Sequence, residues 1–374
     1  MSARAFSGAA IFDGTRLCKG KVLVTGQGVC DLVPQGMPHK ILNGGTILPG
    51  FVDLQVNGGG GVMFNDAPDV DTLRVMARAH ATLGTAALLP TLITDTPATT
   101  RAAIDAVRAA IVQGVPGIAG LHLEGPHLAV ARKGAHDAAL IRPMDEDDLM
   151  LLCNAARDLP NLMVTLAPET VTTDQISALT QAGVLVSLGH SDCDFDTARR
   201  AMDAGARLVT HLFNAMSGLG HRTPGLVGAA LSDPRVMCGL IADGVHVHCA
   251  AMQVALAARP EGMFLVTDAM APAGTDQTGF TLGNRRVLRR DGRLTLEDGT
   301  LAGADLAFGQ ALAQVRSAGV SFETALAMAT TRPAAVLRNP MGAGTLERAL
   351  WMSQAGDMYW LDDTDDTSGL FIAR

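Results

Sequence analysis

Short apolar runs alternate with longer amphipathic stretches from Phe51 onwards. Each run has the length of a buried strand, and the stretches between them have the length and periodicity of helices. The predicted strands are 51–56, 86–89, 120–123, 162–166, 184–188, 207–209, 237–241 and 264–266. The predicted helices between them are 99–113, 145–158, 174–182, 194–204 and 250–258. Eight such strands predict an α/β fold with a closed (β/α)₈ barrel, although an open, doubly wound parallel sheet has the same pattern.

The two ends of the chain differ from this middle part. Residues 1–49 contain short β-like runs separated by Gly and Pro turns, which is typical of a small β domain. After the eighth strand, turn signals over 281–301 predict a hairpin-like insertion, followed by helices over 308–318 and 321–330, the second capped by Ser321. The last segment could complete the small β domain. We therefore predict a barrel over 50–334 and a small β domain made from 1–49 and 335–374.

The composition limits the classes of partner. The chain has 374 residues, of which 48% are hydrophobic and 18% charged, so it can bury a large core. A net charge of −8 without a basic block argues against nucleic acid or an anionic membrane as partner. No apolar run approaches the ~20 residues of a membrane span. Six cysteines without framework spacing, and an N-terminus without a signal-peptide core, lead us to expect a cytoplasmic protein.

Polar residues that follow the predicted strands carry the candidate chemistry. Glu124 ends the third strand, and His190 and His211 follow the fifth and sixth. In a (β/α)₈ barrel these strand ends face one mouth, so the three side chains would converge. One carboxylate and two imidazoles form a three-ligand set for Zn²⁺, and also suit Fe²⁺, Mn²⁺ or Co²⁺. The alternative for Glu124 is a structural ion pair or a helix cap.

Two further features suit a hydrolytic site. Asp268 ends the eighth strand and could take a proton from attacking water and return it to a leaving group; the alternative is another structural cap. Asn214, Ala215 and Arg222 follow the sixth strand and could bind an anion through backbone N–H groups and a guanidinium. Solvated surface is the alternative for Arg222.

Eight motifs occur in the order found in a known family. They span 49–58, 121–126, 133–136, 165–169, 188–191, 210–216, 242–247 and 266–269. With these motifs the chain resembles the N-acetylglucosamine-6-phosphate deacetylase family of the amidohydrolase superfamily. The resemblance implies a deformed barrel with a small β-sandwich built from both termini. It also implies hydrolysis of the acetamide of N-acetylglucosamine 6-phosphate to glucosamine 6-phosphate and acetate.

The resemblance also assigns roles by motif. It makes Glu124, His190 and His211 the metal ligands, Asp268 the general base and acid, and His136 a residue that orients or polarises the acetamide carbonyl. The implied substrate-binding residues are Asn214, Ala215, Arg222, His246 and Gln55. In relatives some phosphate contacts cross a dimer interface, so we expect a homodimer.

Some positions depart from the wider superfamily. Gln55 and Asn57 stand where many amidohydrolases have a His-x-His pair that holds a second metal. We therefore predict one divalent ion per chain, with Zn²⁺ as the leading candidate. His127 is a candidate for a substrate or second-ion contact, and Ala304 stands where relatives often have Ser. Other hypotheses are a deacetylase of N-acetylgalactosamine 6-phosphate, a cyclic-amide hydrolase and a non-catalytic barrel. The presence of all the ligand and acid/base residues disfavours the last.

Overall fold

The computed structural model of the chain describes residues 3–361 and 371–372. Within it, seven short strands precede the barrel, in the region where β-like runs were predicted. The strands are β1 (Ala5–Ser7), β2 (Ala10–Phe12), β3 (Leu17–Cys18), β4 (Val22–Val24), β5 (Gly28–Cys30), β6 (His39–Ile41) and β7 (Thr46–Pro49). β5, β4, β1 and β6 form a four-stranded sheet, whereas β7, β2 and β3 belong to a second sheet.

All eight predicted barrel strands are present and pair in parallel in chain order. They are β8 (Phe51–Val56), β11 (Thr85–Ile93), β12 (Leu121–Glu124), β13 (Leu162–Leu166), β14 (Leu185–Leu188), β15 (Leu208–Val209), β16 (Met237–Leu240) and β17 (Met263–Leu265). The small hairpin β9 (Gly58–Gly59) and β10 (Val62–Met63) follows β8. A parallel bridge between Val56 and Ala269 joins the first strand to the segment after the last. The prediction of a barrel is confirmed, and the open sheet is excluded.

Helices cover the outside of the barrel, and many begin at side chains that accept hydrogen bonds from the first turn. The helices are α1 (Val70–Ala81), α2 (Pro97–Val112), α3 (Glu146–Asp158), α4 (Thr173–Gln181), α5 (Phe195–Asp203), α6 (Gly225–Ser232), α7 (Cys249–Ala258), α8 (Phe308–Ser317), α9 (Phe322–Ala329) and α10 (Thr331–Val336). Asp145 and Thr172 form capping boxes, and Ser321 caps α9 as predicted. Among the described residues, no helix has the length and apolarity needed to cross a membrane.

The insertion after the eighth strand is larger than the predicted hairpin. It forms a four-stranded antiparallel sheet of β18 (Gly279–Leu282), β19 (Arg285–Arg290), β20 (Arg293–Leu296) and β21 (Leu301–Ala304). Leu282 and Val287 of this sheet pack in one apolar cluster with Met63 and Met270, which lie beside the barrel mouth. The insertion therefore covers part of the mouth.

The C-terminal strands return to the N-terminal region. β22 (Ala349–Met352), β23 (Met358–Trp360) and β24 (Phe371–Ile372) extend a six-stranded sheet of order β24-β23-β22-β7-β2-β3. Side chains of both terminal sheets, including Phe6, Leu23, Ile47 and Ala349, pack in one apolar cluster. The predicted fold class, a barrel with a small β domain from both termini, is confirmed. Residues 362–370 and 373–374 of the predicted C-terminal part lie outside the described residues.

Candidate metal centre and catalytic cavity

A cavity of about 240 Å³ opens at the carboxyl ends of the barrel strands. Residues far apart in the sequence meet there because each follows a different strand of the barrel. Eight of the predicted site residues line this cavity: Glu124, His136, His190, His211, Asn214, Ala215, His246 and Asp268.

Three ligand atoms converge at the base of this cavity. Glu124 Oε1 lies 3.2 Å from His190 Nε2 and 3.0 Å from His211 Nε2. The two imidazole nitrogens are 3.0 Å apart, and all three residues are buried. Two nitrogens and a carboxylate oxygen at this spacing could hold a divalent ion while leaving a coordination position open.

The protonation of these groups also fits a cation. His190 Nδ1 lies 2.8 Å from the carbonyl of Arg132 and donates to it, so the lone pair of Nε2 faces Glu124. Burial alone would raise the pKa of Glu124, but the adjacent imidazoles of His190 and His211 hold that pKa well below its usual range. Among the described residues, His211 Nδ1 and Asn57 Oδ1 are the buried side-chain atoms without a hydrogen-bond partner. The donor set, an ionised carboxylate with two imidazoles, thus fits a divalent metal ion.

The backbone is strained where the polar side chains enter the cavity. His190, His211 and Asp268 have φ of 46°, 30° and 50°, in the left-handed region that non-glycine residues rarely adopt. Such conformations cost roughly 1–3 kcal/mol each and persist only where the surrounding fold enforces them. At Asp268 the backbone N–H donates to the carbonyl of Gln55 at 3.1 Å. Strain at three strand ends is typical of residues that are retained for chemistry.

Asp268 lies beside the three candidate ligands without belonging to their cluster. Its Oδ1 accepts hydrogen bonds from Asn57 Nδ2 at 2.7 Å and Gln55 Nε2 at 3.1 Å. Gln55 Nε2 is also 3.3 Å from Glu124 Oε1, so Gln55 lies between the two carboxylates rather than on the cavity surface. Burial raises the pKa of Asp268 to about 6, and the negative charge of Glu124 adds to this effect. A carboxyl group with a pKa near neutrality can both accept and return a proton.

His136 presents an N–H donor to the same space. Its Nδ1 accepts from the backbone N–H of Thr94 at 3.2 Å, so the neutral ring carries its proton on Nε2. Nε2 lies 3.9 Å from Glu124 Oε2. Burial, followed by the charge of His190, lowers the pKa of His136 to about 3, so the ring stays neutral at physiological pH. A neutral imidazole in this position can donate to a carbonyl oxygen on which negative charge develops.

Further polar groups line the same cavity. Asn214 and Ala215 follow β15, and Ala215 has a φ of 49°. Asp243 fixes His246: its carboxylate accepts from the backbone N–H at 2.7 Å and from ring Nδ1 at 2.6 Å. Burial alone would raise the pKa of Asp243, but the hydrogen bond from His246 lowers that pKa overall. Nε2 is then the ring nitrogen of His246 that remains for a ligand.

Arg222 and His127 lie elsewhere. Arg222 is exposed and lines a separate depression together with Arg132 and Asp192. His127 is buried, with Nδ1 at 3.1 Å from the carbonyl of Arg142, and it does not line the cavity. Arg222 therefore does not line the cavity that eight of the other predicted site residues line.

A model of the amidohydrolase family matches residues 46–348. The chain belongs to the amidohydrolase family. It is 43% identical to the N-acetylgalactosamine-6-phosphate deacetylase of Shewanella sp. (strain ANA-3), covering 90% of this chain and 84% of that protein. It is 37% identical to the human N-acetylglucosamine-6-phosphate deacetylase, covering 88% and 83%.

A solved structure has the same fold. The N-acetyl-D-glucosamine-6-phosphate deacetylase mutant of Mycobacterium smegmatis, in complex with N-acetyl-D-glucosamine 6-phosphate, aligns over 100% of both chains with a TM-score of 0.89 and 28% identity. The resemblance seen in the sequence motifs is confirmed, and this amidohydrolase is a hydrolase of a metal-dependent family. The cluster of Glu124, His190 and His211 is a place where such a metal could bind.

Several residues that organise this amidohydrolase site were not identified from the sequence. Thr94, directly after β11, fixes the tautomer of His136, and inspection of the residue after each strand would have found it. Arg285 of the insertion donates to the carbonyl of Ala135 and so holds the segment that carries His136. No local sequence signal connects Arg285 with residue 135, because the contact depends on how the insertion folds.

Asp53 joins the first barrel strand to Thr267, the residue next to Asp268. It is fully buried, and its carboxylate accepts from Thr267 Oγ1 at 2.5 Å and from the backbone N–H groups of Thr267 and Gln55 at 3.3 Å each. These partners are neutral. Burial therefore dominates and raises the pKa of Asp53 to about 7. A polar residue within the apolar run 51–56 was the available sequence signal.

The raised pKa of Asp53 predicts a pH-dependent contribution to stability. In the unfolded chain the group ionises near 3.8, and in the folded protein near 7, so its stabilising contribution is complete below pH 4 and lost as pH rises to 7. Asp53→Asn removes this titration. Relative to the parent, the variant should gain about 3 kcal/mol in free energy of unfolding between pH 5 and pH 8. Thermal unfolding at both pH values tests this, with the exposed Asp276→Asn as control. An equal difference at both pH values would show that Asp53 is already ionised at pH 5.

Proposed function

We propose that this amidohydrolase removes the acetyl group of N-acetylglucosamine 6-phosphate, giving glucosamine 6-phosphate and acetate. The observation that carries the proposal is the arrangement of one cavity. A ligand triad, the carboxyl group of Asp268 and the N–H of His136 line it, and so do Asn214, Ala215 and His246. The first group of residues suits amide hydrolysis, and the second suits a polar, anionic sugar phosphate.

Each step of the hydrolysis has a residue that can perform it. Asp268 accepts a proton from the attacking water as the water oxygen bonds to the carbonyl carbon. The Nε2–H of His136 donates to the carbonyl oxygen, which becomes negatively charged. Asp268 then returns the proton to the nitrogen, and the C–N bond breaks to release the amine. We assign Glu124, His190 and His211 as the ligands of one divalent ion, with Zn²⁺ as the leading candidate. When bound, such an ion would polarise the carbonyl group and lower the pKa of a bound water molecule.

The stereochemistry at C4 of the sugar gives two candidate substrates. The human relative and the mycobacterial complex support the gluco sugar, whereas the Shewanella relative, at 43% identity, favours N-acetylgalactosamine 6-phosphate as the second candidate. Parallel assays of both epimers, with metal supplied, separate them: kcat/KM should be higher for the gluco epimer. A higher value for the galacto epimer would reassign the substrate and leave the chemistry unchanged. Turnover of neither epimer would refute the proposal.

We further propose that the protein is a cytoplasmic homodimer in which Arg222 binds the substrate phosphate of the partner copy. Arg222 is exposed and lies outside the catalytic cavity of its own chain, so a contact across an interface would bring it to a phosphate. Arg222→Ala should remove a charge-assisted contact worth roughly 1.5–3 kcal/mol and raise KM by the corresponding factor. Steady-state kinetics of this variant test the assignment.

The control for Arg222 is another exposed arginine. Arg101 lies on the surface of α2, so Arg101→Ala should leave KM unchanged. Light scattering gives the oligomeric state of the parent. If the parent has the same kcat/KM for unphosphorylated N-acetylglucosamine as for the phosphorylated sugar, then Arg222 does not bind the substrate phosphate.

A further inference from the structure

The catalytic cavity extends between opposite sides of the barrel. Ile93 ends β11, the second barrel strand, and Asn214 and Ala215 follow β15, the sixth strand. In a closed barrel of eight strands in chain order, the second and sixth strands face each other across the mouth. Ile93, Asn214 and Ala215 all line the same cavity. The ligand triad and Asp268 lie between these two sides.

An apolar wall closes the cavity on the side of the second strand. Leu282, at the end of β18 in the insertion, is 3% exposed and lines the cavity together with Ile93 and Ala135. Leu282 belongs to the apolar cluster beside the mouth, against which Ile93 and Ala135 pack. The wall is therefore formed by the barrel and the insertion together.

A second cavity, of about 540 Å³, lies behind this wall. Ile93, Ala135, His136 and Leu282 line both cavities, so these side chains form the partition between them. The remaining lining of the second cavity is mostly polar and includes Lys133. Leu282 therefore borders both cavities.

The position of the scissile amide then fixes the direction of its two substituents. The carbonyl carbon must lie within reach of Asp268 and of the N–H of His136. If the sugar phosphate extends towards Asn214 and His246, the acyl chain on the other side of the carbonyl extends towards the second strand. There it meets Ile93 and Leu282.

We propose that Ile93 and Leu282 set the size of the N-acyl group that this enzyme removes, and that shortening Leu282 opens the second cavity to longer acyl chains. This inference rests on the proposed deacetylase function, because it assumes that the sugar phosphate lies on the side of Asn214. The wall accepts an acetyl group and excludes longer chains by contact.

The test is a comparison of kcat/KM for the N-formyl, N-acetyl, N-propionyl and N-butyryl derivatives of glucosamine 6-phosphate. In the parent, each methylene beyond acetyl should lower kcat/KM by about 10-fold or more, since a tight apolar pocket discriminates one methylene by that amount. Leu282→Ala should raise the butyryl-to-acetyl ratio by about 10-fold over the parent. Leu282→Phe should shift preference the other way, towards formyl over acetyl.

Leu294→Ala is the matched control. Leu294 is buried in the same apolar cluster but lines neither cavity, so its truncation reports any general loosening of the insertion. If Leu294→Ala changes the ratio as much as Leu282→Ala, or if the parent hydrolyses butyryl and acetyl derivatives equally well, the wall does not set acyl size. If Leu282→Ala does not fold, the butyryl-to-acetyl ratio of kcat/KM is measured for Ile93→Ala instead. A ratio equal to that of the parent would then refute the role of the wall. If the parent hydrolyses no member of the series, the result refutes the proposed deacetylase function and not the role of the wall.

Discussion

Replacement of Asp268 by asparagine should lower kcat by about 100- to 10,000-fold, the range that a positioned acid or base contributes. The departing group of an amide is an amine, which leaves only when it is protonated as the C–N bond breaks. Without a proton carrier, attack by water stalls at the tetrahedral stage. Because asparagine keeps the shape of Asp268 but removes its titration, KM should change little, as expected for an interaction made in the transition state.

The Asp268→Asn measurement needs two checks. Metal content should match that of the parent, because the three candidate ligand atoms belong to Glu124, His190 and His211 and none belongs to Asp268. Asp276→Asn, the same chemical change at an exposed position, should keep the parent kcat. A near-parent kcat in the Asp268 variant with normal metal content would mean that another group carries the proton, with His136 as the next candidate.

Replacement of His211 by alanine should remove the bound ion and the activity together. Loss of a group that merely supports a metal ligand typically costs 10- to 100-fold, so loss of a ligand should cost at least about 100-fold. Elemental analysis of the parent should find one divalent ion per chain and of the variant little or none. His39→Ala, at an exposed position on strand β6 of the N-terminal sheet, serves as the control.

Two outcomes would contradict the single-metal assignment. Two tightly held ions in the parent, with Gln55 or Asn57 as ligands, would overturn it. Their amide nitrogens both donate to Asp268 Oδ1, an arrangement that a second ion in that place would have to break. Full activity in metal-free protein would overturn the mechanism as a whole.

The barrel could be predicted from the sequence because each of its strands is an apolar run of limited length. Helices with mixed faces were also found, but α1, α6 and the short α10 were not. Every residue of α6 from Gly225 to Ala230 is buried, so the segment has no polar face and no helical period. In α1 the buried positions include Thr72, Ala77, Ala79 and His80, which give a weak apolar signal. The insertion was predicted too short because its outer strands carry no distinct pattern.

The residues of the site also differ in how far the sequence predicts them. Glu124, His190, His211 and Asp268 were predicted from position alone, since a polar residue within two positions of the end of an apolar strand is visible in the sequence. His136 lies in a loop, and only the family resemblance pointed to it. The course of a loop depends on contacts made by other segments. For the same reason the sequence left open whether Arg222 lies at the cavity or on the solvated surface, where the structure places it.

The terminal sheet constrains how the chain is assembled on the ribosome. β7 pairs with β22, with Leu48 opposite Leu350, about 300 residues later in the chain. The barrel strands, in contrast, pair with sequential neighbours and can associate as they emerge. One edge of β7 therefore stays unpaired until β22 has been synthesised, when almost the whole chain is complete. Unpaired strand edges promote association between chains, so the interval before β22 emerges is when a nascent chain is most prone to aggregate.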